Sequence, residues 1–132
     1  MISKMRKSFS YAAAALICGM GIGEPAKAAD DLAAARELAI SHCSQCHTFG
    51  KGEPHGQGPS LFGLIGREAA AIPGYQFSPG YVSAMKGQVW DVALLDRWLT
   101  DTLAVAPGTQ MVYWQEDAGK RTALIRYLES LR

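Results

Sequence analysis

The feature that most constrains the fold of this 132-residue chain is the pentapeptide Cys43-Ser44-Gln45-Cys46-His47. Two thiols lie two residues apart, and a histidine directly follows the second. This spacing fits half of a zinc site, a thiol redox pair, or the attachment point of a c-type haem. The three possibilities predict different folds, because a haem would occupy much of the core of so small a domain.

The sequence around the pentapeptide favours haem over zinc or thiol redox chemistry. A structural zinc site takes four ligands, and the only histidines beyond the pentapeptide are His42 and His55. A thioredoxin-like pair lies beside a strand–helix–strand pattern, but no run of β-branched residues flanks Cys43. In a c-type haem site, both thiols add to vinyl groups on one haem edge, and His47 then lies beneath the ring as an axial ligand of iron.

Residues 1–28 have the three regions of a secretory signal peptide. A basic start is followed by the apolar run YAAAALICGMGIG, and Ala26-Lys27-Ala28 offers a cleavage site between small residues. The apolar run is short for a bilayer span, so an uncleaved anchor is the less favoured alternative. The sequence therefore predicts export to the periplasm and a single mature domain over residues 29–132.

The charge of the mature domain argues against nucleic-acid binding. The whole chain has 13 Lys and Arg against 12 Asp and Glu, and removing residues 1–28 takes away four basic residues and one acidic residue, leaving about −2. A nucleic-acid-binding domain needs a basic patch, which this composition does not supply. No second long apolar run is present, so we expect a soluble domain with no stable membrane insertion.

Three helices are predicted, over residues 31–44, 91–103 and 117–131, with Asp30 or Asp31 and Asp91 as N-caps of the first two. Their apolar faces are formed by Leu32, Ala35, Leu38 and Ala39, by Leu94, Leu95, Trp98 and Leu99, and by Leu124, Ile125, Leu128 and Leu131. The Gly- and Pro-rich segment 50–88 is too long for an ordinary loop, so we expect a large apolar ligand to order it. The expected class is all-α, with three main helices and long loops around one covalently bound haem.

The motifs CSQCH, GPSLFGLIGR and PGTQM, with RTALIRYLESLR at the end, together resemble the class I c-type cytochromes. The resemblance is strongest to the small soluble bacterial and mitochondrial electron carriers, and it covers residues 31–131. It implies the cytochrome c fold and one haem c attached through Cys43 and Cys46. It also implies reversible single-electron transfer, without the turnover of an enzyme.

The resemblance further implies roles for individual residues. His47 and Met111 would be the axial ligands of iron, and the Pro59 carbonyl would accept a hydrogen bond from the second ring nitrogen of His47. Two leucines would make apolar contacts with the haem faces, and three polar side chains would donate hydrogen bonds to the propionates. These residues are Leu61 and Leu99 for the faces and Arg67, Trp90 and Thr109 for the propionates.

Some positions depart from the family pattern. Ala35 and Ala39 stand where relatives often have a glycine and an aromatic residue that meets the counterpart of Tyr127. Phe77 and Trp98 replace tyrosines that bond a propionate and the methionine sulfur, respectively. His55 matches a loop histidine that bonds backbone groups, so it is expected to be structural.

The resemblance implies redox partners, namely a quinol-oxidising cytochrome complex, a terminal oxidase, a photosynthetic reaction centre or a periplasmic dehydrogenase. The mature domain has three lysines, so docking is expected to depend on short-range apolar contact more than on charge steering. A monomer is expected, since no helix carries a second apolar face. Two alternatives stay open: an open-site haem protein that binds gases or reduces peroxide, and a dedicated cytochrome subunit of one dehydrogenase.

Overall fold

A computed structural model describes residues 24–132, and residues 1–23, which include most of the predicted signal peptide, lie outside the described part. The described residues form five helices: α1 Glu24–Cys43, α2 Pro79–Met85, α3 Val92–Thr100, α4 Thr102–Val105 and α5 Ala118–Ser130. Two isolated antiparallel bridges join Glu68 to Val89 and Asp101 to Trp114. The expected all-α class is confirmed. Within residues 24–132, no helix combines the length and apolar character that a membrane crossing requires.

Helix α1 starts earlier than the sequence analysis predicted. It begins at Glu24, so the expected start and N-cap at Asp30 or Asp31 are wrong. Pro25 is tolerated in the first helical turn, and the alanine-rich stretch after it contains no helix-breaking residue. Asp31 instead lies on the helix surface, with its carboxylate 3.6 Å from the Arg126 guanidinium.

The predicted second helix is divided in two at Asp101. The Leu94 N–H donates to the Asp91 carboxylate at 2.7 Å, which confirms Asp91 as the N-cap of α3. Asp101 has an extended backbone, and its carboxylate accepts hydrogen bonds from the N–H groups of Leu103 and Ala104 at 2.9 and 3.2 Å. Asp101 therefore ends α3 and starts the short helix α4.

Helix α2 was not predicted and lies inside the long Gly- and Pro-rich segment. Ser78 caps it by accepting a hydrogen bond from the Tyr81 N–H at 3.4 Å, and Pro79 occupies its first turn. Tyr81 and Met85 are its buried residues. Both side chains belong to the hydrophobic core, so this helix contributes to it.

Helix α1 packs against α5 through a face of small residues. Ala35 and Ala39 are buried, with exposed fractions of 2% and 0%. The aromatic partner of Tyr127 comes from outside α1, since its ring meets that of Phe49 edge-on with centroids 5.6 Å apart. Phe49 thus makes the aromatic contact that the two alanines cannot make.

The remaining predicted faces are largely buried as expected. The α3 face is fully buried, as are three of the four predicted residues of α5, which starts at the Asp117 cap. The partly buried members of the predicted faces are Leu32, Leu38 and Leu131.

We expect Ala39→Leu to destabilise the haem-loaded protein by about 1–3 kcal/mol, because the close α1–α5 contact has no room for three more carbon atoms. Ala34→Leu, on the exposed side of α1, is the matched control and should change the free energy of unfolding by about 0.5 kcal/mol or less. Guanidinium denaturation of both variants measures the difference. Equal stability of the two would contradict the tight crossing.

Candidate functional site

A single cavity of about 440 Å³ brings together all ten residues that the sequence analysis assigned to the haem. Its volume lies within the range of small-molecule and cofactor sites. The ten residues on its wall are Cys43, Cys46, His47, Pro59, Leu61, Arg67, Trp90, Leu99, Thr109 and Met111. They come from the end of α1, from α3 and from three loops.

The two thiols lie where α1 ends. Cys43 is the last residue of α1, and its carbonyl accepts hydrogen bonds from the N–H groups of Cys46 and His47 at 3.1 and 2.9 Å. This turn places both cysteines, as free thiols, on the cavity wall. Burial, together with the nearby Cys46, raises the pKa of the Cys43 thiol to about 11. A redox-active pair needs a thiol with a lowered pKa, so the geometry gives no support to the thiol redox interpretation.

The zinc interpretation also lacks ligands. Across residues 24–132, no three His, Cys, Asp or Glu side chains are grouped so that they could hold a metal ion. A zinc site needs four ligands around one point.

His47 is oriented by a hydrogen bond to the backbone and fits beside a glycine. Its Nδ1 hydrogen-bonds the Pro59 carbonyl at 2.7 Å, so Nδ1 carries the proton and Nε2 keeps a lone pair. Burial lowers the pKa of His47 more than this hydrogen bond raises it, which favours the neutral imidazole. A Cβ on Gly58 would lie only 2.4 Å from Cε1 of the ring, so the glycine makes room for the imidazole. A neutral, fixed imidazole beside two thiols is the donor set that a c-type haem requires.

Arg67 and Trp90 are brought together by backbone pairing. The Trp90 N–H donates to the Arg67 carbonyl at 2.9 Å, and the Gly66 N–H donates to the Trp90 carbonyl at 2.8 Å. The Arg67 guanidinium donates to the carbonyls of Phe62 and Ser60 at 3.2 and 3.0 Å. A guanidinium has five N–H donors, so others remain for a carboxylate in the cavity.

Tyr81 is a cavity residue that the sequence analysis missed. Its ring stacks on Phe77 with centroids 4.9 Å apart, and both side chains line the cavity. Burial raises the pKa of Tyr81. Tyr81 therefore adds a tyrosine to the cavity wall beside Phe77, which has no hydroxyl. The Ser-Pro pair before this residue was a helix-start signal that could have revealed it.

Trp98 fills the core beside this wall. It is buried, and its ring packs edge-on against those of Tyr81 and Trp90, with centroids 5.7 and 5.6 Å away. Trp98 therefore belongs to an aromatic cluster with Tyr81 and Trp90 on the cavity wall.

The loop that carries Met111, residues 106–117, is held by threonines. The Met111 N–H donates to Oγ1 of the buried Thr109 at 3.3 Å. Thr102, fully buried, donates from its hydroxyl to the Met111 carbonyl at 2.7 Å and accepts from the Tyr113 N–H at 3.0 Å. The backbone around the half-buried Met111 is thus tied to the junction of α3 and α4.

His55 has the structural role that was expected. Its Nδ1 accepts a hydrogen bond from the Ser60 N–H at 3.0 Å, and its Nε2 donates to the Pro73 carbonyl at 2.9 Å. Both ring nitrogens are used, so His55 is not free to compete with His47.

Comparison with known proteins gives the family. No family model matches the chain. Cytochrome c2 of Rhodopila globiformis is 37% identical over 98 residues, which cover 74% of this chain and 90% of the relative. Cytochrome c2 iso-2 of Magnetospirillum fulvum is 37% identical over 94 residues, covering 70% and 95%. Cytochrome c of Ginkgo biloba is 35% identical over 100 residues, covering 75% and 87%.

These matches span most of each chain. The chain therefore belongs to the class I c-type cytochromes, a family of single-haem electron carriers, with its haem c attached covalently through Cys43 and Cys46.

Proposed function

We propose that this cytochrome is a monomeric periplasmic shuttle with His47 and Met111 as the axial ligands of its iron. The observation that carries the proposal is that both side chains line one cavity, each on a fixed backbone. The Pro59 carbonyl orients the imidazole, and Thr102 holds the Met111 loop. The haem supplies reversible one-electron chemistry between Fe(II) and Fe(III).

Two protein ligands would restrict that chemistry to electron transfer. With His47 and Met111 on iron, water and dioxygen would have no open position to occupy. The thioether of Met111 would favour Fe(II) and raise the reduction potential relative to ligation by two imidazoles. Because the same two ligands would serve both oxidation states, little rearrangement would accompany each transfer.

Polar side chains on the cavity wall suit the haem carboxylates. We assign the carboxylates' hydrogen bonds to Arg67, Trp90 and Thr109, as the resemblance implied, and add the Tyr81 hydroxyl, since Tyr81 lines the same cavity. Buried carboxylates need such donors to remain ionised away from water. Leu61 and the buried Leu99 supply apolar contact to the haem faces.

We propose that partners dock by apolar contact beside the Met111 loop. Val112 and Trp114 are large apolar side chains with exposed fractions of 63% and 65%, and Val112 also lines the cavity. The surface has few lysines, which leaves little charge for long-range steering. Partners of the proposed shuttle are a quinol-oxidising cytochrome complex, a terminal oxidase, a reaction centre or a periplasmic dehydrogenase.

The alternatives differ from this proposal in measurable ways. An open-site haem protein requires Met111 to be absent from iron or easily displaced. A dedicated dehydrogenase subunit would elute in a larger complex when its own periplasm is fractionated by size exclusion, whereas a free shuttle would elute alone.

Replacing Met111 tests its axial role. We expect Met111→Ala to lower the reduction potential by on the order of 0.1 V or more, because axial-ligand identity moves haem potentials over about 0.8 V. Potentiometric titration measures the shift, and imidazole binding to the ferric variant reports the opened position. Met85→Leu is the control, since Met85 is buried in the core away from this cavity. An unchanged potential in Met111→Ala would show that Met111 is not a ligand.

Crowding His47 tests its orientation. Gly58→Ala would place a methyl group 2.4 Å from Cε1, so the ring must turn or move and its hydrogen bond to Pro59 must weaken. We expect a changed low-spin electron paramagnetic resonance spectrum and a lower yield of haem-loaded protein. Gly119→Ala, in the first turn of α5, is the control and should retain the wild-type spectrum. A wild-type spectrum in Gly58→Ala would argue against the proposed orientation of His47.

A further inference from the structure

The two elements that carry the thiols and Met111 are joined by a contact across the cavity wall. Nδ1 of His42 and the hydroxyl of Tyr113 are hydrogen-bonded at 3.1 Å, and their rings meet edge-on with centroids 6.1 Å apart. His42 immediately precedes Cys43, and Tyr113 lies two residues after Met111. Both side chains line the cavity, so the contact lies on its rim.

The other anchors of the Met111 loop lie on different elements. Thr102 holds the loop from the junction of α3 and α4, as described above. On the α2 side, the Ser78 hydroxyl donates to the Gly108 carbonyl at 3.1 Å, and a Cβ on Gly80 would lie 2.7 Å from that oxygen. Only the His42–Tyr113 contact, among those described here, ties the loop to the helix that carries Cys43.

We propose that His42 and Tyr113 form a clasp that keeps the Met111 loop closed on the end of α1 and thereby holds the Met111 sulfur on iron. They are positioning residues, because neither is a ligand. The inference rests on the proposed axial role of Met111. When the Met111 loop opens to release the sulfur, the loop separates from α1. The hydrogen bond between His42 and Tyr113 must then break.

The hydrogen bond of the clasp contributes a modest free energy, and that contribution acts on the Met111 loop. His42 is exposed and Tyr113 is half-buried, so water competes for the hydrogen bond. Tyr113→Phe and His42→Leu each remove this hydrogen bond, one from the loop and the other from α1. Because both variants remove the same bond, the second substitution should add nothing to the effect of the first on this contact.

The test measures loop opening in the haem-loaded protein. Imidazole binding to the ferric form requires displacement of the methionine, and the exchange rate of the Tyr113 amide hydrogen reports opening of the loop independently of ligation. We expect His42→Leu and Tyr113→Phe each to accelerate both processes about two- to tenfold, the effect of one ordinary hydrogen bond. The double variant should be no faster than Tyr113→Phe alone, and His42→Gln, which can still hydrogen-bond the hydroxyl, should lie closer to wild type than His42→Leu.

Tyr75→Phe is the matched control, because the Tyr75 hydroxyl donates to the Gln57 carbonyl at 2.8 Å, away from the Met111 loop. It should leave the amide exchange of Tyr113 unchanged. The clasp would be overturned if the Tyr113 amide hydrogen exchanged at the wild-type rate in His42→Leu. It would also be overturned if the acceleration in the double variant equalled the product of the accelerations in the two single variants. The proposed ligation is judged separately, by whether wild-type ferric protein shows the methionine-sulfur-to-iron charge-transfer band. If that band is absent, the amide exchange rates still decide whether the clasp holds the loop.

Discussion

A helix-free segment, residues 44–78, forms much of the cavity wall, and its conformation depends on side chains that bond its backbone. Backbone groups in such a segment need partners in place of those that a helix or sheet would provide. Here His47 bonds the Pro59 carbonyl, His55 bridges two more backbone groups, and Arg67 bonds the carbonyls of Ser60 and Phe62. An apolar cavity of about 440 Å³ is far larger than the voids of ordinary protein cores, so the haem completes this wall as part of the core.

The loop that carries Met111 is fixed in a different way, by neighbours from several helices. Thr102 is available to this loop because Asp101 ends α3 one residue earlier and starts α4. The break in the predicted second helix thus has a functional consequence, since it turns a buried hydroxyl toward the Met111 backbone. A ligand loop held on several sides suits an electron carrier, in which the iron environment should change little between oxidation states.

Features determined by local chemistry could be predicted from the sequence. Asp91 caps its helix through a contact within three residues, as predicted, and the family resemblance named ten residues that share one cavity. Helix α2 was missed because its two buried residues are too few to show a helical period. The start of α1 was missed because Asp31 resembles a cap, although the alanines before it continue the helix. The His42–Tyr113 contact joins residues 71 positions apart, which no local pattern reveals.

The most direct test of the central claim, that the protein occupies both axial positions of the iron, is the visible spectrum of the dithionite-reduced protein before and after addition of carbon monoxide. With His47 and Met111 both on iron, the sharp low-spin spectrum should remain unchanged. A prompt shift on adding carbon monoxide would show an accessible iron. That result would contradict the electron-shuttle proposal and favour a protein that binds gases or reduces peroxide.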